Sequence, residues 1–181
     1  MAMLHTGVHG VEGPEALQTD VVDGLVVARA EAGDYIVAIS PFLPVLAKRL
    51  AARIQRQGRC VGDLLQNVQL EPLRSLAQLL WTLETLATAQ RAPKLLVVDM
   101  ACLQQATHDA YELGLIRSIS LQLKRLGRLF NCSVLLVGLG PTHHVLWQGS
   151  LHSTLTLRAT SSEATSLRLV TATRSSFVHP Q

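Results

Sequence analysis

Cysteine is scarce in this chain. Its three copies, Cys60, Cys102 and Cys132, are far apart and form no Cys-x-x-Cys pair. A dispersed, odd set excludes a disulfide framework and a cysteine-built zinc site, and it fits a reducing compartment. Long apolar runs are lacking as well; none approaches the ~20 residues that span a bilayer. The N-terminal MAMLHTGVHG has neither a basic stretch nor an apolar centre, so no secretory leader is read and a soluble intracellular protein is expected. Acids are missing from two long stretches. Residues 41–62 carry Lys48, Arg49, Arg53, Arg56 and Arg59 with no carboxylate, and 115–162 carry Arg117, Lys124, Arg125, Arg128 and Arg158 with none. Residues 1–40 are the reverse, with six acids against Arg29 alone. The net charge of +3 hides this block structure.

What is present is enough for a core. The 181 residues are 48% hydrophobic, which excludes general disorder and predicts one domain. Residues 1–11 are read as a flexible N-terminus and 12–181 as the single domain. Tyr35–Ile39, Leu95–Asp99 and Ser133–Gly138 are short continuous apolar runs, the signature of strands covered on both faces in a parallel sheet. Between them, Leu46, Leu50 and Ile54 recur every four residues, Leu73 to Leu86 form a second apolar stripe opened by Pro72, and a third helix is predicted over about 113–130. Leu151–Arg158 and Ser166–Thr173 alternate Leu or Val with polar residues, which predicts an antiparallel hairpin at the sheet edge. The expected fold is a doubly wound, mostly parallel α/β sheet with a C-terminal antiparallel hairpin.

Such a sheet directs attention to nucleotide chemistry. Leu95-Leu96-Val97-Val98-Asp99-Met100 has the form of a strand whose Asp holds Mg²⁺ through water; alternatively Asp99 only caps the strand end. Gly13-Pro14-Glu15-Ala16-Leu17-Gln18-Thr19-Asp20 precedes a helix-like run and resembles the GPESSGKT phosphate loop of RecA. That chemistry needs a glycine-rich nest, a Lys on the phosphates and a hydroxyl on Mg²⁺. Here Gln18 stands for the second Gly, Thr19 for the Lys and Asp20 for the hydroxyl residue. An Asp at that place would repel a triphosphate. No acid lies between Asp34 and Asp63 to orient an attacking water. Gly13, Thr19, Asp20 and Asp99 are therefore read as vestiges of a nucleotide site, with no cofactor, metal or catalytic residue expected.

Further runs carry the resemblance. Gly62-Asp63-Leu64-Leu65-Gln66-Asn67-Val68 resembles the DVLDNV segment of eukaryotic recombinases, and Leu123–Val137 resembles their LLRLADEFGVAVVITNQ helix and strand. The chain is similar to a degenerate, RecA-like recombinase paralogue of the small Shu-complex type. The Phe-x-x-Ala tetrapeptide through which recombinases polymerise does not occur, so filament self-assembly is not expected. The resemblance implies a nuclear, non-catalytic subunit of a homologous-recombination accessory complex. Such a subunit would bind single-stranded or forked DNA, pair with a second RecA-like paralogue in a hetero-oligomer and promote filament assembly by the main recombinase. A degenerate RecA-fold subunit of an Elongator-type tRNA-modification complex is the alternative.

The basic blocks supply the candidate DNA contacts: Lys48, Arg49, Arg53 and Arg56 on one helix, and Arg117, Lys124, Arg125 and Arg128 on another. Stripes without interspersed carboxylates suit phosphates or an acidic partner, the bland alternative being a solvated helix face. The segment Gly140–Gly149 stands where recombinases carry a DNA-contacting loop; Trp147 is placed there to stack on a base, with His143 and His144 on phosphates.

Overall fold

The continuous apolar runs do become strands with both faces covered. A computed structural model describes residues 6–103, 109–139, 147 and 151–157, and the backbone of 158–159 and 165–171. The chain runs β1 (Gly7–Glu12), α1 (Glu15–Glu31), β2 (Ile36–Ser40), α2 (Leu43–Arg56), α3 (Val61–Leu65), β3 (Val68–Pro72), α4 (Leu76–Ala87), β4 (Leu95–Asp99), α5 (Ala110–Phe130), β5 (Ser133–Val137), β6 (Ser153–Ala159) and β7 (Thr165–Thr171). The sheet order is β3-β2-β4-β5-β1-β6-β7. Residues of alternate parity pack on opposite sides. Val11, Ala38, Val97 and Leu135 meet α1 and α2, while Val8, Val37, Val98 and Leu136 meet α4 and α5. Among the described residues no helix is long and apolar enough to cross a membrane.

The sheet's far end corrects the expected architecture. Ser153–Ala159 is not an antiparallel addition to the sheet but its sixth parallel strand: it runs parallel to β1, with His9 opposite Ser153 and Val11 opposite Leu155. Six strands, β3-β2-β4-β5-β1-β6, are thus mutually parallel, and only the backbone of β7 pairs antiparallel, with β6. Alternation in β6 reflects one well-covered face (Leu157 is buried, Thr154 and Thr156 half-exposed), and that pattern carries no information about strand direction.

A second correction concerns residues 7–11. They are not a flexible N-terminus but most of β1, buried at the centre between β5 and β6. GVHGVE offers only two valines, and the buried polar His9 is accommodated because its Nδ1 shares a 2.7 Å hydrogen bond with Ser153 Oγ.

Helix boundaries follow local chemistry. Leu46, Leu50 and Ile54 are the buried residues of α2, and Pro44 sits in its first turn, where a missing N–H has no consequence. Pro72 closes β3 rather than opening α4; the helix starts at Leu76, capped by Ser75 Oγ accepting from Gln78 N at 3.1 Å. Asp109 caps α5 by accepting from Glu112 N at 2.8 Å, so Tyr111 and Glu112 belong to its first turn. Asn131 ends it in the left-handed conformation (φ 50°).

Burial also sorts the thiols. Cys60 and Cys102 are exposed, whereas Cys132 is buried beside β1 and its thiol is pushed by burial up to about 11 from the usual 9.0, against the pull of Lys94. At pH 8 a thiol-specific chromogenic reagent is expected to titrate two cysteines in the folded protein and the third only after unfolding; three fast thiols would contradict the placement of Cys132. Because the folded state holds this proton more tightly, its contribution to stability is complete below pH 9 and is lost as the pH rises towards 11.

Candidate nucleotide cleft and basic surfaces

The parallel strands end together, and the carboxyl ends of β1, β2, β4 and β5 frame a cleft of about 350 Å³ whose lining includes Gly13, Gln18, Thr19, Ser40, Arg49 and Asp99. This edge of an open α/β sheet is where ligands bind by default. Backbone crowding controls how the chain enters it. Gly13 leaves β1 with φ 134°, and a Cβ there would lie 2.6 Å from the Leu157 carbonyl oxygen of β6. Only glycine passes.

Helix begins immediately beyond. Pro14 O accepts from Leu17 N at 2.9 Å and from Gln18 N at 3.0 Å, so the residues aligned with a phosphate loop already form the first turn of α1. A phosphate nest needs consecutive N–H groups turned inward on one anion; here two of them are engaged within the turn. Gln18 then crosses the cleft. Its Nε2 donates to Gly13 O at 2.7 Å, and its Oε1 accepts from Gly138 N at 3.2 Å, tying the exits of β1 and β5 through a neutral amide.

Asp99 is satisfied locally. Ser40 Oγ donates to its Oδ2 at 3.0 Å, and Ala101 N donates to its Oδ1 at 3.1 Å. Gly138, at φ 69°, closes the other side: a Cβ would come within 3.1 Å of Asp99 Oδ1 and 3.0 Å of Ala101 N. Of the four residues expected at a former nucleotide site, Gly13, Thr19 and Asp99 line the cleft. Asp20 points away from it, accepting from Arg53 Nη1 at 2.5 Å.

That contact belongs to a seam between α1 and α2. Arg49 grips Asp23 with two bonds, Nε to Oδ2 at 2.9 Å and Nη2 to Oδ1 at 3.1 Å, and the Asp23 side chain is only 6% exposed. Arg53 also donates to the Asp20 carbonyl, and it lies so close to α1 that a Cβ on Gly24 would be 2.7 Å from its Nη2. Arg59 lies 3.7 Å from Glu31. The acidic N-terminal block and the first basic block are largely two sides of one interface. Arg49 and Arg53 therefore serve α1, and their guanidinium groups are not a free stripe. Lys48 and Arg56 are exposed, and Arg56 donates to the Ala52 carbonyl of its own helix. The signal was in the sequence as acids at 20 and 23 and bases at 49 and 53, each pair one helical turn apart.

The second block is different. Arg117, Arg125 and Arg128 are exposed along α5, and among the described residues none forms an ion pair with a carboxylate; Lys124 beside them is half-buried. The expected base-stacking role of Trp147 is corrected. Its side chain is fully buried in the core with Leu139 and Leu151, where a nucleobase cannot reach it. Aromatic area drives burial wherever a core is adjacent, and adjacency was invisible in the sequence. His143 and His144 lie outside the described residues.

No family model and no curated protein matches the chain by sequence. By fold it is similar to the crystal structure of the RadB recombinase, with a TM-score of 0.66 over 87% of this chain and 77% of that one, at 14% identity. The fold is thus like that of the RadB recombinase. The finer likeness to a Shu-type subunit goes beyond this comparison.

The Asp23–Arg49 pair makes a direct prediction. Arg49→Gln strands a buried carboxylate and should lower stability in urea by about 2 kcal/mol, the scale of a charged hydrogen bond. Asp23→Asn combined with Arg49→Gln should cost less than the sum of the two single changes. Additive losses would mean the pair contributes nothing.

Proposed function

We propose that the chain is a non-catalytic subunit of a homologous-recombination accessory complex, of the Shu type. In this reading it pairs with a second RecA-like paralogue in the nucleus and helps the main recombinase assemble on DNA. The observation that carries it is Gln18 bridging Gly13 and Gly138 across the cleft of a recombinase-type fold. A RecA-type sheet whose phosphate loop has become helix is suited to holding partners, not to turning over a nucleotide. On this reading the protein is a pseudo-ATPase.

The physical consequence is a fixed shape. A nucleotide-driven subunit changes conformation as its loop grips and releases phosphate; here the corresponding backbone groups are bonded within the protein, so no switch is needed. Partner binding then depends on surfaces. Among the described residues, Lys48 and Arg56 on α2 and Arg117, Arg125 and Arg128 on α5 are exposed bases with no ion pair, and these the chain offers to nucleic acid or to an acidic partner.

Two measurements test the reading. Millimolar Mg-ATP should leave the melting temperature unchanged, since a ligand well above its Kd would raise it visibly; a clear rise would overturn the non-catalytic assignment. Affinity purification from native extract followed by mass spectrometry should recover a second RecA-like recombinase paralogue. Recovery of tRNA-modification subunits instead would favour the Elongator-type alternative.

A further inference from the structure

The outward face of α5 combines two features that are rarely left to water together. Leu121 is 70% exposed, Leu129 is 55% exposed, and Leu113 is 42% exposed. Around and between them stand Arg117, Lys124, Arg125 and Arg128, with no Asp or Glu anywhere from Leu113 to Phe130. Among the described residues, the groove along the second half of the helix is lined by Leu121, Lys124, Arg125, Arg128 and Leu129. Leu121 and Leu129 are two turns apart, about 12 Å along the axis.

Each candidate occupant would leave a different remainder. A phosphate backbone would satisfy the guanidinium groups but leave the two leucines in water, and among the described residues the groove has no aromatic side chain on which a base could stack. A purely apolar partner would bury the leucines and strand the arginines. A helix carrying apolar residues at two-turn spacing, flanked by glutamates or aspartates, matches both sets at once.

We propose that the α5 face bounded by Leu121 and Leu129 is the docking site for an acidic amphipathic helix of a partner protein. The proposal rests on the reading of the chain as a partner-binding subunit and says which surface the partner takes. The leucines provide the apolar anchor. Arg125 and Arg128 fix the orientation by pairing with carboxylates on either side of it. DNA contact by this subunit then falls to other bases, Lys48 and Arg56 among them.

The test uses the full chain and a fluorescein-labelled synthetic peptide, helical, with leucines on one stripe flanked by glutamates. A scrambled peptide and an oligo-dT serve as the other probes. The wild-type protein should bind the helical peptide and not the scrambled one. Leu121→Ser with Leu129→Ser, changes at exposed positions, should weaken it about tenfold or more without lowering the melting temperature. Arg125→Glu with Arg128→Glu should do the same, and added salt should weaken wild-type binding. Failure to bind the peptide, or binding indifferent to the leucine changes, overturns the proposal. So does oligo-dT binding that is lost in the arginine variant and competes with the peptide; that result would assign the face to DNA while leaving the recombination reading intact.

Discussion

Strand β1 is hydrogen-bonded on both edges, to β5 and β6, and covered on both faces. Its backbone leaves the sheet at Gly13, where the Leu157 carbonyl of β6 permits no side chain. From there Pro14 starts α1 at once, and the position of α1 across the sheet follows. Gln18 falls opposite Gly138, Asp23 falls opposite Arg49, and the cleft between the strand ends takes its shape from these two contacts. Geometry that would deliver a phosphate loop delivers a helix turn and a neutral amide instead.

The two basic blocks have different physical fates. On α2, acids on the neighbouring helix consume Arg49 and Arg53; most such surface pairs contribute little, but Asp23 is buried and doubly bonded, so its partner is fixed. On α5, Arg117, Arg125 and Arg128 face water among exposed leucines. A charge block is thus informative only once the element packed against it is known. Arg49 and Arg53 balance the seam between α1 and α2, and Arg117, Arg125 and Arg128 remain on an outward surface.

Much of the fold was legible. The runs at 36–39, 95–99 and 133–137 are strands because parallel strands buried on both faces must be apolar throughout; fourfold spacing found α2, and the helical apolar pattern from 113 to 130 found α5, within a few residues. β1 was not legible, because Gly7, His9 and Gly10 dilute its apolar content and His9 is buried against a hydrogen-bond partner, Ser153, 144 positions away. The direction of β6 was equally hidden, since alternation reports burial and not pairing. At the site, the departures at 18, 19 and 20 were visible as substitutions. That Gln18 would occupy the cleft, and that Trp147 would be core, required the third dimension.

The turn from Pro14 to Gln18 is bonded within itself, and Gln18 bridges the cleft from Gly13 to Gly138. Amide hydrogen exchange resolved by residue tests this arrangement most directly. Leu17, Gln18 and Gly138 donate to Pro14 O, Pro14 O and Gln18 Oε1 respectively, so all three should be protected in the free protein and unchanged by millimolar Mg-ATP. Fast exchange at these amides, slowed on adding Mg-ATP, would show a working phosphate loop and contradict the account.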